Sequence, residues 1–155
     1  MENAAVCSDS LGRFVRRQSV IYNRALHELE TGEKTGFWMP YIFPQLRSMA
    51  KNRKMFVFGL TDVAEARMYC NHPLLGHRLR VCCKALLKHT DKTATDIFGD
   101  ADSAKLHSSI TVFASVSEEG SVFHRVLEQF FSGQADACTI GYLSGKIVSV
   151  ACRKY

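Results

Sequence analysis

The sequence predicts a mainly α-helical protein, folded as a single compact domain of about six or seven helices. Apolar residues recur at three- and four-residue spacing along most of the chain. Residues that commonly start helices precede these stretches, and glycines follow them. No internal repeat or linker divides the 155 residues, a length that lets one domain bury roughly two-thirds of its unfolded surface. We expect a disordered leader (residues 1–12), one helical domain (13–145) and a C-terminal tail (146–155).

The first helix is predicted over residues 13–30, where apolar side chains share one face. It is followed by residues 37–46, called the strap below, which hold four of the sixteen aromatic residues and two of the three prolines. Because Pro40 and Pro44 each remove a backbone donor and restrict the residue before them, we expect the strap to be extended, and to be buried under helices. Residues 48–59 fit either a short helix or an extended segment.

The rest of the chain carries six further helix patterns. Most begin at a Ser, Thr, Asp or Asn that can accept a hydrogen bond from a free N–H group of the first turn, and several end at a glycine. The patterns cover residues 61–69, 73–88, 93–98, 100–114, 121–131 and 136–145. The tail after them alternates weakly, which fits a strand, an extended segment or a frayed end.

Composition excludes several classes of protein. Hydrophobic residues make up 46% and charged residues 23% of the chain, which is typical of globular domains and not of disordered ones. No apolar run approaches the ~20 residues of a membrane span, and the N-terminus lacks a secretory pattern, so we expect a cytoplasmic protein. The six cysteines show neither C-x-x-C motifs nor regular spacing. Free thiols are therefore expected, with no metal and no cofactor.

The chain is basic, with a net charge of +5. Its basic residues are spread thinly and are interleaved with acidic ones, and no known nucleic-acid motif accompanies them. We interpret them as a solvated surface. Nucleic acid is not expected as a partner.

The predicted helix over residues 100–114 holds the densest set of candidate functional residues. Asp102, Lys105 and Ser109 are spaced i, i+3 and i+7, so they share one face beside the apolar stripe. Ser108, Ser109 and Thr111 lie in the helix interior, where hydroxyl groups have no propensity reason to cluster. We favour a ligand site or a structural polar network. A catalytic pair formed by Lys105 and Ser109 is the alternative.

A second candidate group lies at the start of the helix over residues 73–88. His72 and Arg78 flank its N-terminus, where free N–H groups and a guanidinium could hold a carboxylate or a phosphate. A capping interaction of Arg78 with a nearby carboxylate is the structural alternative. In the strap, Trp38 and Gln45 could supply a stacking face and an amide, or could satisfy the backbone of the strap itself.

Several short motifs follow one another along the chain: Trp38 with Ile42-Phe43-Pro44-Gln45-Leu46; Glu65-Ala66 with Tyr69; His72-Pro73 with Gly76 and Arg78-Leu79; Phe98-Gly99 with Asp102, Lys105, Ser108-Ser109, Thr111 and Phe113; and Phe130-Phe131-Ser132-Gly133 with Asp136 and Thr139. From about Phe14 to Leu143 the chain resembles domain-of-unknown-function family 1810. The resemblance implies one mainly α-helical domain and no established activity. Some members carry the label calpastatin, but calpastatins are repetitive and disordered, and this sequence is neither.

The resemblance favours a binding site over a pure scaffold, because the polar members of the family pattern are not what a core alone requires. We expect a small anionic, nucleotide-like ligand in a cleft between the strap and the helix over residues 100–114. Whether the ligand is hydrolysed stays open; a further likeness to helical N-glycosidases that act on ADP-ribose-linked compounds rests on analogy. A protein-interaction module without catalytic activity is the alternative, and non-specific nucleic-acid binding ranks third. The candidate ligand-binding residues are Trp38, Gln45, His72, Arg78, Asp102, Lys105, Ser109 and Thr111.

Overall fold

A computed structural model describes the backbone of residues 2–145 and the side chains from residue 10. This part of the chain contains nine α-helices and a short 3-10 turn (Arg47–Met49), and its only β-type pairing is an isolated parallel bridge between Leu46 and Leu60. The predicted fold class, a mainly α-helical single compact domain, is confirmed. The helices are α1 (Glu2–Thr31), α2 (Met39–Ile42), α3 (Arg53–Val57), α4 (Val63–Asn71), α5 (Leu75–Leu87), α6 (Ala94–Phe98), α7 (Asp100–Ser115), α8 (Val122–Phe131) and α9 (Ala137–Leu143).

Helix α7 lies at the centre of the fold. It packs against α4, α6, α8 and α9, and every residue from Ser108 to Ala114 is buried. Helix α5 forms a second buried layer against α1, α4 and α8. Solvent reaches the first turns of α7, which carry Asp102 and Lys105, and its last residue, Ser115. The central helix therefore presents its charged end, and not its hydroxyl-rich middle, to the surface.

Three of the predicted helix starts depend on a side-chain cap, and the structure confirms them. The side chain of Asp62, rather than that of Thr61, accepts the amide N–H of the first turn of α4 at 2.8 Å. Thr93 forms a reciprocal capping box at the start of α6, and Asp136 accepts an amide N–H of α9 at 3.0 Å. Gly99, with φ +81°, then allows the sharp change of direction between α6 and α7.

The strap is buried as predicted, but the prediction that it is extended throughout was wrong. Residues Met39–Ile42 form the short helix α2, with Pro40 in its first turn. A proline is tolerated there because the N–H groups of a first turn have no partner within the helix. At the other end of α2, two backbone carbonyl groups accept hydrogen bonds from side chains of other helices. Gln18 donates to Tyr41 O at 2.7 Å, and the Tyr69 hydroxyl donates to Ile42 O at 3.2 Å. Extended backbone is confined to the residues that follow.

Two other segments are now defined. The ambiguous residues 48–59 contain the end of the 3-10 turn and helix α3. The first helix begins at Glu2 and not near Arg13, and Leu11 is already buried against the core. The predicted tail, residues 146–155, lies outside the described part of the chain. None of the helices described is long and apolar enough to cross a membrane.

Candidate functional site

A buried carboxylate, that of Glu28 on α1, organises the loop that leads into the strap. Its Oε1 accepts the N–H groups of Thr35 (2.7 Å) and Gly36 (2.9 Å) and the indole Nε1–H of Trp38 (2.9 Å). Its Oε2 accepts from Arg24 Nε (2.9 Å) and Thr35 Oγ1 (3.2 Å). Burial alone would raise the pKa of Glu28, but these hydrogen bonds outweigh it and lower the pKa to about 2. The loop and the indole are thereby fixed in place.

The same loop holds Lys34 against the first turn of α7. The Lys34 ammonium lies 2.6 Å from Asp102 Oδ2, donates to Gly36 O at 2.7 Å and sits 5.2 Å from the centre of the Trp38 ring. Only 7% of its side chain is exposed. The other Asp102 oxygen lies 3.4 Å from Lys105 Nζ. One carboxylate is therefore shared by two ammonium groups.

These residues open onto a surface groove of about 440 Å³, which we call the lysine groove. The residues lining it are Lys34, Phe37, Met39, Pro40, Asn52, Lys54, Met55, Asp102 and Lys105. The charged residues of the groove are thus three lysines and one carboxylate. The Phe37 ring is 92% exposed, which is unusual for a large apolar side chain beside a rigid loop.

A narrow apolar slot continues from the lysine groove. The two share Met39, Pro40, Met55 and Lys105. The slot alone is lined by Phe43, Gln45, Leu46, Ala50 and Phe58. Lys105 therefore stands at the junction between a charged opening and an apolar interior.

Lys51, just before α3, adds further positive potential near this junction. Its pKa is lowered first by burial and then by the charge of Lys105. The ammonium groups of Lys51 and Lys105 repel each other, so the region around them attracts an anion. Placing an anion between them would relieve the repulsion and raise the pKa of Lys51.

The structure brings together some of the predicted site residues and not others. Asp102 and Lys105 line the lysine groove, and Gln45 lines the adjoining slot. The Trp38 ring instead lies in the core, 1% exposed, with its N–H on Glu28. The remaining predicted residues, His72, Arg78, Ser109 and Thr111, line neither cavity.

His72 and Arg78 have structural contacts of their own. His72 Nδ1 accepts the N–H groups of Leu74 and Leu75 at 3.1 Å each, so the donors expected for an anion are already engaged at the start of α5. The Arg78 guanidinium lies 4.6 Å from the centre of the Tyr22 ring, and its nearest polar partner is Gln18 Oε1 at 3.5 Å. The expected capping partner of Arg78, a carboxylate, is therefore replaced by an aromatic face and an amide.

Two of the three clustered hydroxyl groups of α7 hold α9 in place. Ser108 Oγ and Thr139 Oγ1 share a hydrogen bond of 2.7 Å. Thr111 Oγ1 donates to His107 O at 2.7 Å and accepts the N–H of Asp136 at 2.9 Å. The hydroxyl groups of Ser108 and Thr111, which looked out of place in a helix interior, are thus explained by packing between helices.

Comparisons with known proteins place this geometry in a family. The model of the family described as "Protein of unknown function (DUF1810)" matches residues 8–143. The chain belongs to the DUF1810 family. A crystal structure of the conserved hypothetical protein Rv1873 from Mycobacterium tuberculosis is similar, with 34% sequence identity and a TM-score of 0.84 over 86% of this chain and 96% of that one. The comparison with curated proteins found no similar sequence.

The resemblance to DUF1810 read from the sequence is therefore confirmed, but the predicted site residues included only Asp102 and Lys105 of the nine residues that line the groove. Lys34, Phe37 and Lys54 were absent from the predicted site. A weak signal existed for Phe37, which adjoins Trp38 at the start of the strap. No local signal exists for Lys34, because its position depends on contacts of its loop with α6 and α7, including the bond from its own N–H to Ile97 O at 2.9 Å.

The polar side chains that line the groove of this DUF1810 protein are three ammonium groups, one amide and one carboxylate. Among the described residues that line it there is no hydroxyl, thiol or imidazole group. The Asp102 carboxylate is paired with two ammonium groups. No group of three or more His, Cys, Asp or Glu side chains in the described part of the chain could hold a metal ion.

Ser109 provides a test of the proposed Lys–Ser pair. Its hydroxyl group is fully buried and has no hydrogen-bond partner among the described residues, so it is not bonded to Lys105. We expect Ser109→Ala to leave the free energy of unfolding unchanged or to raise it by about 1 kcal/mol, because a buried unpaired hydroxyl is removed. Urea denaturation measures this change. A loss of more than about 1 kcal/mol would show that the hydroxyl has a partner in solution.

Proposed function

We propose that this protein binds a small anionic, nucleotide-like molecule in the lysine groove. The observation that carries the proposal is the excess of positive charge in the groove, where three lysines (Lys34, Lys54 and Lys105) line the surface with a single carboxylate, that of Asp102. A site with an excess of ammonium groups attracts phosphate or carboxylate groups. Lys105, which is 34% exposed, is the cation best placed to meet the ligand directly, while Lys34 is engaged by the loop.

Two apolar features favour a ligand that has more than a bare phosphate. The exposed Phe37 ring offers a face on which a flat heterocycle can stack. The slot beyond Lys105 accepts a small apolar group between Pro40 and Met55. Phe37 takes the stacking role that the sequence assigned to Trp38.

The proposal is one of binding and not of hydrolysis. Hydrolysis requires a nucleophile or a general base in reach of the ligand, and the described lining residues contribute only ammonium groups, an amide and a paired carboxylate as polar side chains. A cytosolic location belongs to the same proposal. Cys70, Cys82 and Cys83 support it, because they form no disulfide in the described part of the chain, as is usual for proteins of a reducing compartment.

A thermal-shift screen tests the proposal. The panel contains ADP-ribose, nicotinamide nucleotides and sugar phosphates, each raised to saturation. A ligand present at a hundredfold excess over its Kd is expected to add about 2.7 kcal/mol to the free energy of unfolding, which raises Tm by several degrees. We expect the Tm shift to be reduced in Lys105→Gln and in Phe37→Ala, because one loses the accessible charge and the other the stacking face.

Lys88→Gln is the matched control, since Lys88 is exposed on α5 and lines neither the groove nor the slot. The rise in Tm that a ligand causes in Lys88→Gln should equal the rise in the unmodified protein. A silent panel would contradict the proposal, as would a hit that Lys105→Gln and Lys88→Gln weaken equally. The second result would mean that the ligand senses net charge and not the groove.

A further inference from the structure

A second surface groove lies on α1, away from the lysines of the first one. It is lined by Arg13, Arg16, Arg17, Val20 and Phe58 and encloses about 540 Å³, and we call it the arginine groove. The four residues from α1 are spaced i, i+3, i+4 and i+7, so they form one continuous face of the helix. Phe58 comes from the segment after α3. The fold therefore joins an arginine-rich helix face to a part of the chain that lies some forty residues further on.

The arginines of this groove have different roles. Arg13 is engaged in the structure: it lies 2.8 Å from Glu65 Oε1 and donates to the carbonyl oxygens of Val57 and Gly59 at 2.8 and 2.9 Å. Arg16 and Arg17 are exposed and form no ion pair with any described residue. No carboxylate is found among the described residues that line the groove. Neither guanidinium is therefore paired with a carboxylate, and that of Arg17 lies 4.9 Å from the centre of the Tyr41 ring.

Two valines beside these arginines are exposed to solvent. Val20 is 76% exposed and Val57 is 40% exposed. Val57 is tied to the groove by the hydrogen bond of its carbonyl to Arg13. A surface that combines arginines with aliphatic groups has the composition of a protein-binding patch, in which arginine is enriched and apolar groups lie at the centre.

The aromatic rings nearby are poorly placed for stacking with nucleic-acid bases. The Phe58 ring makes edge contacts with Phe14 and Tyr41, at centroid distances of 6.0 and 4.7 Å. The Phe56 ring, although 52% exposed, already has the Arg47 guanidinium 4.6 Å from its centre. Single-stranded nucleic-acid sites depend on free aromatic faces as well as on cations. Exposed valines favour a partner with aliphatic side chains instead.

We propose that the arginine groove binds an acidic amphipathic segment of a partner protein. Its carboxylates pair with Arg16 and Arg17, in the bidentate geometry that guanidinium groups favour. Its aliphatic side chains pack on Val20 and Phe58. The lysines proposed to bind the anion, Lys34, Lys54 and Lys105, take no part in this interaction, although Phe58 lines both the arginine groove and the apolar slot.

Fluorescence anisotropy at physiological salt tests the proposal with three labelled probes of equal charge. The first is a 16-residue peptide with Glu and Leu at helical spacing, the second has every Leu replaced by Ser, and the third is an oligothymidine. We expect the Glu/Leu peptide to bind most tightly. Arg16→Glu/Arg17→Glu should weaken its binding by about tenfold or more, and Val20→Ser by a few fold, because exposed charge pairs and aliphatic contacts each contribute modestly.

The matched control is Lys84→Glu/Arg125→Glu, which reverses two exposed charges on α5 and α8 and should change the Kd less than twofold. Circular dichroism and Tm confirm that each variant is folded. Equal binding of the Glu/Ser peptide, tighter binding of the oligothymidine, or no binding of any probe would each overturn the proposal. So would equal losses in the two charge-reversal variants.

Discussion

Glu28→Ala is expected to lower the free energy of unfolding by about 3–5 kcal/mol, the range for removing one partner of a buried charged network. The substitution leaves the N–H groups of Gly36 and Trp38 buried without their acceptor. The loop that carries Lys34 and Phe37 would lose its anchor at the same time. Urea denaturation followed by Trp38 fluorescence measures both the stability and the environment of the indole.

Two further substitutions show how much of this effect is due to the charge of Glu28 and how specific it is to position 28. Glu28→Gln keeps one acceptor oxygen but no charge, so its loss of stability should lie between those of the unmodified protein and Glu28→Ala. Glu30→Ala, an exposed glutamate of the same helix, should change the free energy of unfolding by less than about 0.5 kcal/mol. Equal effects at positions 28 and 30 would show that the Glu28 contacts contribute little.

The lowered pKa of Glu28 also predicts a pH dependence. A carboxyl group with a pKa of about 2 in the folded protein, against 4.5 for the ordinary group, contributes stability that is fully present above pH 4.5 and is lost as the pH falls toward 2. The contribution is about 3 kcal/mol at 1.36 kcal/mol per pKa unit. Glu65, whose pKa is also lowered because hydrogen bonds from Arg13, Ser10 and Thr61 outweigh the effect of burial, acts in the same direction. Glu28→Gln should therefore flatten the stability curve only in part, and curves that stay parallel would contradict the assignment.

Gly76→Ala is the other substitution with a large expected effect, a loss of about 3 kcal/mol or more. A Cβ atom at position 76 would lie 2.1 Å from the carbonyl oxygen of Cys70 and 2.9 Å from its carbon. These are backbone atoms at the end of α4, so they cannot move without separating α4 from α5, and overpacking of a rigid contact is destabilising. The shift would also disturb Arg80, which donates to both Cys70 O and Gly76 O.

Gly12→Ala is the matched control because it makes the same change inside another helix. There the new Cβ would meet only the end of the flexible Arg16 side chain, at 3.0 Å. Replacing a helix-interior glycine by alanine is expected to stabilise α1 by up to about 1 kcal/mol. The two variants should therefore move Tm in opposite directions, and a loss at position 12 as large as that at position 76 would refute the packing explanation.

The parts of the fold that depend on local chemistry could be predicted from the sequence. Asp62, Thr93 and Asp136 cap the helices they were expected to cap, because a cap involves only the next three residues. The short helix at Pro40 was missed because two prolines within five residues were taken to exclude any helical turn. A short helix is compatible with both prolines when one lies in its first turn and the other lies after its end.

The candidate site was predictable only in part, for a physical reason. Asp102 and Lys105 share a helix face, so their spacing was enough to find them. Trp38 was expected at the surface of the cleft, but its partner Glu28 lies on another element, and no periodicity reports such a pairing. The basic residues likewise appeared dispersed along the chain, although the fold gathers the arginines of α1 beside Phe58.

The most direct test of anion binding in the lysine groove is an amide NMR titration of the protein with tripolyphosphate. We predict saturable chemical-shift changes at residues 34–37, 51–55 and 102–105, which surround the lysine groove, and their loss in Lys105→Gln. Tripolyphosphate carries charge without an apolar part, so it isolates the anionic contribution of the ligand. Changes centred on residues 13–20, or changes spread over the surface without saturation, would contradict an anion site in the lysine groove.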